Sequence, residues 1–328
     1  MKFLPISPYR IVEGWAQLPN GRAMGAVGKV VIDPDGLHVW AVVRCQRLED
    51  PTRFGDECRD SKIDPILKFS PEGRVIQSFG GGMFIWPHGL DVDREGNVWV
   101  TDAVATNRTP KGDKRGHIIV KFSREGKVLM TLGTPGVPGA GSNHFTSPSD
   151  VVVAPNGDIL VADGHGTDGN NRVVKFSNDG KYLMAWGKSG WAPGEFHSLH
   201  AIAIDLRGRI FVADRGNNRI QLFDQEGKSL TVPWTQFGRP SGIAFDNRDQ
   251  IYVADSESDD ARNPGWKEGI RIGDAKSGWV SAFIQPRWGN PPTMMGSGAE
   301  FIAVDRDGNI YGGEPASKRL QKYIRVLS

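Results

Sequence analysis

The stretch PHGLDVDREGNVWVTDA, from Pro87 to Ala103, decides the fold. It reads as two strands joined by a tight turn: an apolar run closed by Asp93, a Glu-Gly pair, then a second apolar run closed by Asp102. The same text recurs along the chain. Clean copies are SPSDVVVAPNGDILVADG from Ser147, LHAIAIDLRGRIFVADR from Leu199 and RPSGIAFDNRDQIYVADS from Arg239. A further copy, GAEFIAVDRDGNIYGGE from Gly298, ends in Glu314 rather than Asp. A degenerate first copy, GKVVIDPDGLHVWAVVR from Gly28, ends in Arg44. The second strands therefore end at Arg44, Asp102, Asp163, Asp214, Asp255 and Glu314, at intervals of 58, 61, 51, 41 and 59 residues. Each interval holds a four-stranded blade with its loops, which predicts an all-β, six-bladed β-propeller.

The outer halves of the blades recur as well. ILKFSPEGRVIQSFG from Ile66, IVKFSREGKVLMTLG from Ile119, VVKFSNDGKYLMAWG from Val173 and IQLFDQEGKSLTVPW from Ile220 each read as strand, turn, strand. No segment carries a sustained helical period with caps. The unbroken repeat argues for one closed domain over residues 1–328, and the 42 glycines suit its many tight turns. The Trp residues are expected mostly in the packing of the blades.

Charge excludes some classes of partner. The net charge is +2 with acidic and basic residues interleaved, so no basic stripe marks a nucleic-acid surface. No run of 18 apolar residues exists to span a membrane. The opening MKFLPISPYR lacks a signal-peptide core, so a cytoplasmic protein is expected, or a periplasmic or secreted one whose leader has been removed. A monomer acting on a small molecule or short peptide is expected. Cys45 and Cys58 flank a polar loop and form either a disulfide in an oxidising compartment or two free thiols in a reducing one.

A propeller lays the first strand of each blade along a central channel, so equivalent repeat positions form a ring. Five residues before the turn Asp (or its equivalent Ala154), that ring reads Gly28, His88, Ser149, His200, Ser241 and Glu300. Small residues alternate with metal-ligand types. Two His and a carboxylate on alternate blades form a facial set for zinc, iron or manganese that leaves positions open. The alternative is a polar plug in which these side chains bond each other or water.

The repeats resemble NHL repeats. More narrowly, FIWPHGLDVDREGNVWVTDA, SNHFTSPSDVVVAPNGDILVADG, RVVKFSNDGKYLMAWG and RIFVADRGNNRIQLFDQEGK resemble the peptidyl-α-hydroxyglycine α-amidating lyase family, over about residues 28 to 225. The resemblance implies a six-bladed propeller, a catalytic zinc on three His and a calcium held near the axis by two carbonyls and a carboxylate. The zinc His positions fall on His88, His200 and, in the last blade, Glu300. The calcium carbonyls fall on Val31 and Leu90, and the calcium-linked Asp is replaced by Phe301. The active-site Arg falls on Arg44, and the catalytic Tyr on His165. With two catalytic positions changed, the resemblance implies a metal-dependent lyase-like enzyme on a different hydroxylated or carbonyl substrate. Arg44 would bind negative charge and His165 would transfer protons. Hydrolysis of a lactone, ester or amide is the second form of that chemistry. A non-catalytic NHL-type scaffold binding a peptide, sugar or protein is the rival from another class.

The remaining candidates are read as structural. Asp102, Asp163, Asp214 and Asp255 are expected to accept backbone or Arg hydrogen bonds between blades, with Arg172, Arg215 and Arg219 as their partners. His144 is expected in a turn, His197 behind the metal ligands, and His38 and His117 facing solvent. SESDDARNPGWKEG from Ser256 is expected to be an exposed loop.

Overall fold

The computed structural model describes residues 7–19, 21–45, 57–166, 168–286 and 298–326, and no α-helix occurs among them. The first strand, β1 (Tyr9–Val12), belongs to the last blade. Blade one comprises β2 (Val27–Ile32), β3 (Val39–Val43), β4 (Ile66–Phe69) and β5 (Val75–Phe79); blade two comprises β6 (Pro87–Val92), β7 (Val98–Asp102), β8 (Ile118–Phe122) and β9 (Val128–Leu132). Blade three holds β10 (Pro148–Val153), β11 (Ile159–Asp163), β12 (Arg172–Phe176) and β13 (Tyr182–Trp186). Blade four has β14 (Leu199–Ile204), β15 (Ile210–Asp214) and β16 (Arg219–Phe223). Blade five has β17 (Gly242–Phe245), β18 (Gln250–Asp255), β19 (Gly269–Asp274) and β20 (Val280–Ile284). Blade six has β21 (Phe301–Val304), β22 (Ile310–Glu314) and β23 (Arg319–Arg325), completed by β1 paired antiparallel to β23.

The expected six-bladed propeller is thus what the chain forms. One expected strand is missing. After β16 only single bridges, Ile220 to Trp234 and Phe223 to Ser229, stand where the fourth strand would run. Pro233 lies in that segment and has no N–H for a ladder.

The core is divided into wedges between neighbouring blades rather than gathered at the centre. Trp40, Val42 and Ile66 of blade one pack on Leu90, Val98 and Val100 of blade two, and the same arrangement repeats around the ring. Trp15, Trp40 and Trp99 are buried in these wedges, whereas Trp191 and Trp279 stand 71% and 74% exposed.

The Asp landmarks have defined jobs. Asp93 Oδ1 accepts from Glu95 N and Asn97 N and closes the inner turn of its blade, as Asp205 and Asp305 do in theirs. The strand-end Asp residues act within their own blades, not between blades. Asp102 accepts from Ile85 N and Trp86 N at 2.7 and 2.8 Å. Asp163 binds Thr146 N, Ser147 N and Arg172, and Asp214 binds His197 N and Arg219. Each therefore fixes the segment entering the innermost strand, two or three residues before the ring position.

Candidate metal centre

The inner strands of blades one to four carry register shifts at their channel end: Val27/Val30, Pro87/Leu90, Pro148/Asp150 and Leu199/Ala201. A bulge bends a strand and re-aims its side chains. His88 and His200 lie at two of these shifts and are both fully buried. Their rings are 4.9 Å apart, centre to centre. A small residue on the other side of His88 lets the strands close in: a Cβ on Gly28 would fall 3.0 Å from the His88 carbonyl oxygen and 3.5 Å from Arg44 Nη2.

His88, His165, His200 and Glu300 converge, with one ligand-capable atom from each lying within 4.8 Å of all the others. Glu300 Oε1 is 3.3 Å from His200 Nε2 and 4.0 Å from His88 Nε2. Tetrahedral zinc with bonds of 2.0–2.1 Å sets its donors about 3.3 Å apart, so the spacing suits such an ion. His88 Nδ1 donates to the Ser149 carbonyl and His200 Nδ1 to the Ser241 carbonyl, each at 2.7 Å. A carbonyl only accepts, so both rings carry their proton on Nδ1 and turn a bare Nε2 towards Glu300. Burial holds both histidines well below the usual imidazole range; the Arg44 charge adds to this at both, and the Arg215 charge at His200. Phe301 stacks on His200 at 5.0 Å and meets His88 edge-on at 5.3 Å, which fixes the two ring planes.

Several buried polar atoms here lack a hydrogen-bond partner: His88 Nε2, His200 Nε2, Glu300 Oε2, Arg44 Nη2, Arg215 Nε and Trp86 Nε1. Leaving one such atom unpaired costs about 1–3 kcal/mol, so a cluster of them marks a place for ligands. The donor set fits a divalent transition metal.

His165 keeps some exposed surface, and its ring sits against Trp86, His88 and His200 at 4.7, 4.7 and 5.1 Å. Burial, then the neighbouring His88 and Arg215, hold it well below the usual range. It joins the ring as a fourth donor, which repeat spacing did not foretell. Arg44 also reaches the centre: its Nε donates to the Pro87 carbonyl at 3.0 Å, its guanidinium lies 4.6 Å over Trp86, and Nη2 is 3.8 Å from Glu300 Oε2.

Two functional candidates went unread in the sequence. Arg215, expected to be a structural partner of Asp214, instead points inward: its Nη1 lies 3.1 Å from Glu257 Oε1 and 3.9 Å from Glu300 Oε1. Glu257 also pairs with Arg239 at 3.1 Å. Burial pushes the Glu257 carboxyl up, but Arg215 and Arg239 outweigh it and leave it below the ordinary value. The segment from Ser256 is thus not a plain exposed loop: Ser256, Ser258 and Glu268 are buried, and Glu257 faces the site. The signal was register. Arg44, His165, Arg215 and Glu257 all fall within two residues of a second-strand end, where the loops open on one face.

Other expectations change as well. His117 is fully buried, bonded to the Thr146 carbonyl and to Thr109, not solvent-facing. His38 is half-buried and pairs with Asp35. His197 stacks on exposed Trp191 at 5.4 Å instead of backing the ligands. His144 sits in a turn, as expected, and its carbonyl accepts from Arg172. Cys45 and Cys58 are joined as a disulfide. The calcium expected on Val31 and Leu90 does not fit. Phe301 stands in the carboxylate slot, and the Lys29 ammonium lies 4.7 Å over its ring, whereas calcium takes six to eight oxygens.

A family model described as a six-bladed β-propeller, DUF5128, matches residues 141–258. The chain is 38% identical over 241 residues to the peptidyl-glycine alpha-amidating monooxygenase of Mus musculus, covering 67% of this chain and 22% of that protein. It is 34% identical over 196 residues to NHL repeat-containing protein 3 of Homo sapiens, 57% of this chain and 54% of that one. It is 35% identical over 212 residues to a probable peptidyl-alpha-hydroxyglycine alpha-amidating lyase of Caenorhabditis elegans, 62% and 56% respectively. The chain thus spans between about a fifth and just over half of these curated relatives. Among solved structures, that of a streptogramin B lyase superimposes with a TM-score of 0.57 at 15% identity, covering 96% of this chain and 97% of that one. The chain is a six-bladed β-propeller with peptidyl-α-hydroxyglycine α-amidating lyases and an NHL-repeat protein among its relatives.

Proposed function

We propose that the chain is a metal-dependent lyase-like enzyme acting at the mouth of its channel on a small hydroxylated substrate that carries a carboxylate, either free or at the end of a short peptide. The observation that carries this reading is the convergence of His88, His165, His200 and Glu300 among buried polar atoms left without partners. A scaffold that only binds on its face has no need of such a cluster. His88, His200 and Glu300 would hold the ion, most simply zinc given two neutral imidazoles and a carboxylate. A bound zinc supplies Lewis acidity towards a substrate hydroxyl or carbonyl oxygen.

The chain's own groups account for the rest. Arg44 and Arg215 flank Glu300 from opposite sides and would clamp the carboxylate. His165 borders a cavity of about 250 Å³ lined also by Trp86, Asn107, Arg108 and Ser147, where it would take the substrate's proton. Trp86 and Phe301 make the adjacent walls apolar, which favours a substrate with a hydrophobic flank. Similarity to the amidating lyases supports C–N bond cleavage at a hydroxylated carbon as the first reaction to assay. Metal-assisted hydrolysis of lactones, esters or amides is the second.

The test compares wild type with His88→Ala and Glu300→Ala by elemental analysis after zinc loading and gel filtration, followed by turnover of α-hydroxy amides. About one equivalent of zinc in wild type, with loss of both zinc and turnover in the variants, is expected. Zinc-free wild type, or an unimpaired Glu300→Ala enzyme, would sink the reading.

A further inference from the structure

One residue beyond the donor ring, the six blades present Lys29, Gly89, Asp150, Ala201, Gly242 and Phe301. Three of these meet across the axis. Lys29 Nζ reaches from blade one, past blade two, to Asp150 Oδ2 of blade three at 2.6 Å. The same ammonium lies 4.7 Å from the Phe301 ring of blade six. Contacts between blades that are not neighbours can only cross the channel. Lys29 is 6% exposed and Asp150 is fully buried. Gly89 makes the crossing possible, since a Cβ there would fall 2.6 Å from Asp150 Cα. Asp150 Oδ2 also accepts from Ile202 N of blade four at 3.1 Å. Asp91 of blade two accepts from Val153 N of blade three at 2.7 Å and feels the same ammonium.

We propose that Lys29 is the chain's own axial cation: its ammonium cross-links the inner strands in the place a bound metal would otherwise take, and this propeller neither needs nor binds calcium there. Electrostatics support this directly. A buried carboxylate must be paired, and Asp150 already is, through a short charged hydrogen bond. A divalent ion beside Asp150 would be repelled by the ammonium and would find no oxygen on Phe301. The Phe301 ring touches both His88 and His200 and the Lys29 ammonium, so the axial contact lies next to the donor cluster. Lys29 itself borders a cavity of about 760 Å³ lined also by Asp91 and Val152.

The Lys29–Asp150 contact does not depend on the chemistry at the histidines. It is tested by calorimetric titration of Ca2+ into the purified protein and by thermal unfolding of two variants. Wild type should bind no calcium, and neither excess Ca2+ nor its removal by EGTA should shift Tm. Lys29→Met should lower Tm by about 4–7 °C by stranding Asp150. Lys29→Met combined with Asp150→Asn removes both charges and should recover at least half of that loss. Stoichiometric calcium binding by wild type would overturn the proposal. So would a Lys29→Met protein as stable as wild type, or a double variant no more stable than the single one.

Discussion

Glu314 ends the second strand of the last blade, where four other blades carry Asp. Burial pushes its carboxyl up to about 7, against 4.5 for an ordinary glutamate, and its contacts, Tyr323 Oη at 3.3 Å among them, do not offset this. The folded state therefore prefers the neutral acid. Between pH 4.5 and about 7 the folded chain binds more protons than the unfolded one, so stability falls as pH rises through that window and stays lower above it. A shift of this size corresponds to roughly 3 kcal/mol. Glu314→Gln keeps the shape and removes the ionisation. It should match wild type near pH 4 and exceed it by about 3 kcal/mol at pH 8 in denaturant unfolding; equal stability at both would show that Glu314 is not neutral in the fold. Residue-scale roles of this kind were partly legible. The ring of His88, His200 and Glu300 followed from register alone. The inward turns of Arg215 and Glu257 did not, because an Arg after a strand-end Asp has two partners on offer and only the packed loops decide between them.

At the scale of elements, the site depends on how the end of β3 is held against the entry to β6. Arg44 directly precedes Cys45, whose disulfide to Cys58 spans a separation of 13 residues. Cys58 N in turn donates to the Ile85 carbonyl at 3.1 Å, and Ile85 and Trp86 are held by Asp102. The disulfide thus ties the Arg44 backbone to the Trp86 segment that the guanidinium lies over. Closing a loop of this length contributes about 3 kcal/mol in the chain-entropy picture. Cys45→Ser with Cys58→Ser should lower Tm by about 3–6 °C. Zinc content should be kept, because neither Cys nor Arg44 is among the donors, while affinity for a carboxylate inhibitor falls. Loss of zinc in that variant would mean that the tether supports the donor ring itself. Sequence left the pairing open because Cys spacing does not report the compartment. For the missing strand of blade four, by contrast, Pro233 was a visible signal that the regular outer repeat obscured.

Across the whole molecule, ring closure decides whether these positions meet at all. Six similar blades were readable because the repeat is written in turn Asp residues and strand ends, which the fold uses for hydrogen bonds at every blade. The closure was not readable, since YRIV in β1 is too short to distinguish from a loop. In the structure β1 pairs with β23, Ile11 opposite Tyr323, and Ile11 packs on the wedge between blades five and six with Ile270, Ile302 and Ile310. The same sheet carries β21, which Glu300 immediately precedes. Opening the last blade should therefore disturb the donor ring from a distance. Ile11→Asp places a charge against that apolar wedge and should cost about 1–3 kcal/mol. Opening the ring should do more than lower stability. Zinc affinity should weaken together with Tm, whereas an apolar truncation of similar cost in the distant wedge between blades two and three, such as Val161→Ala, should lower Tm and leave zinc affinity intact. Equal zinc retention in the two variants, at matched loss of Tm, would show that the ring of donors is held by blades two and four alone and that the closing strand serves stability only.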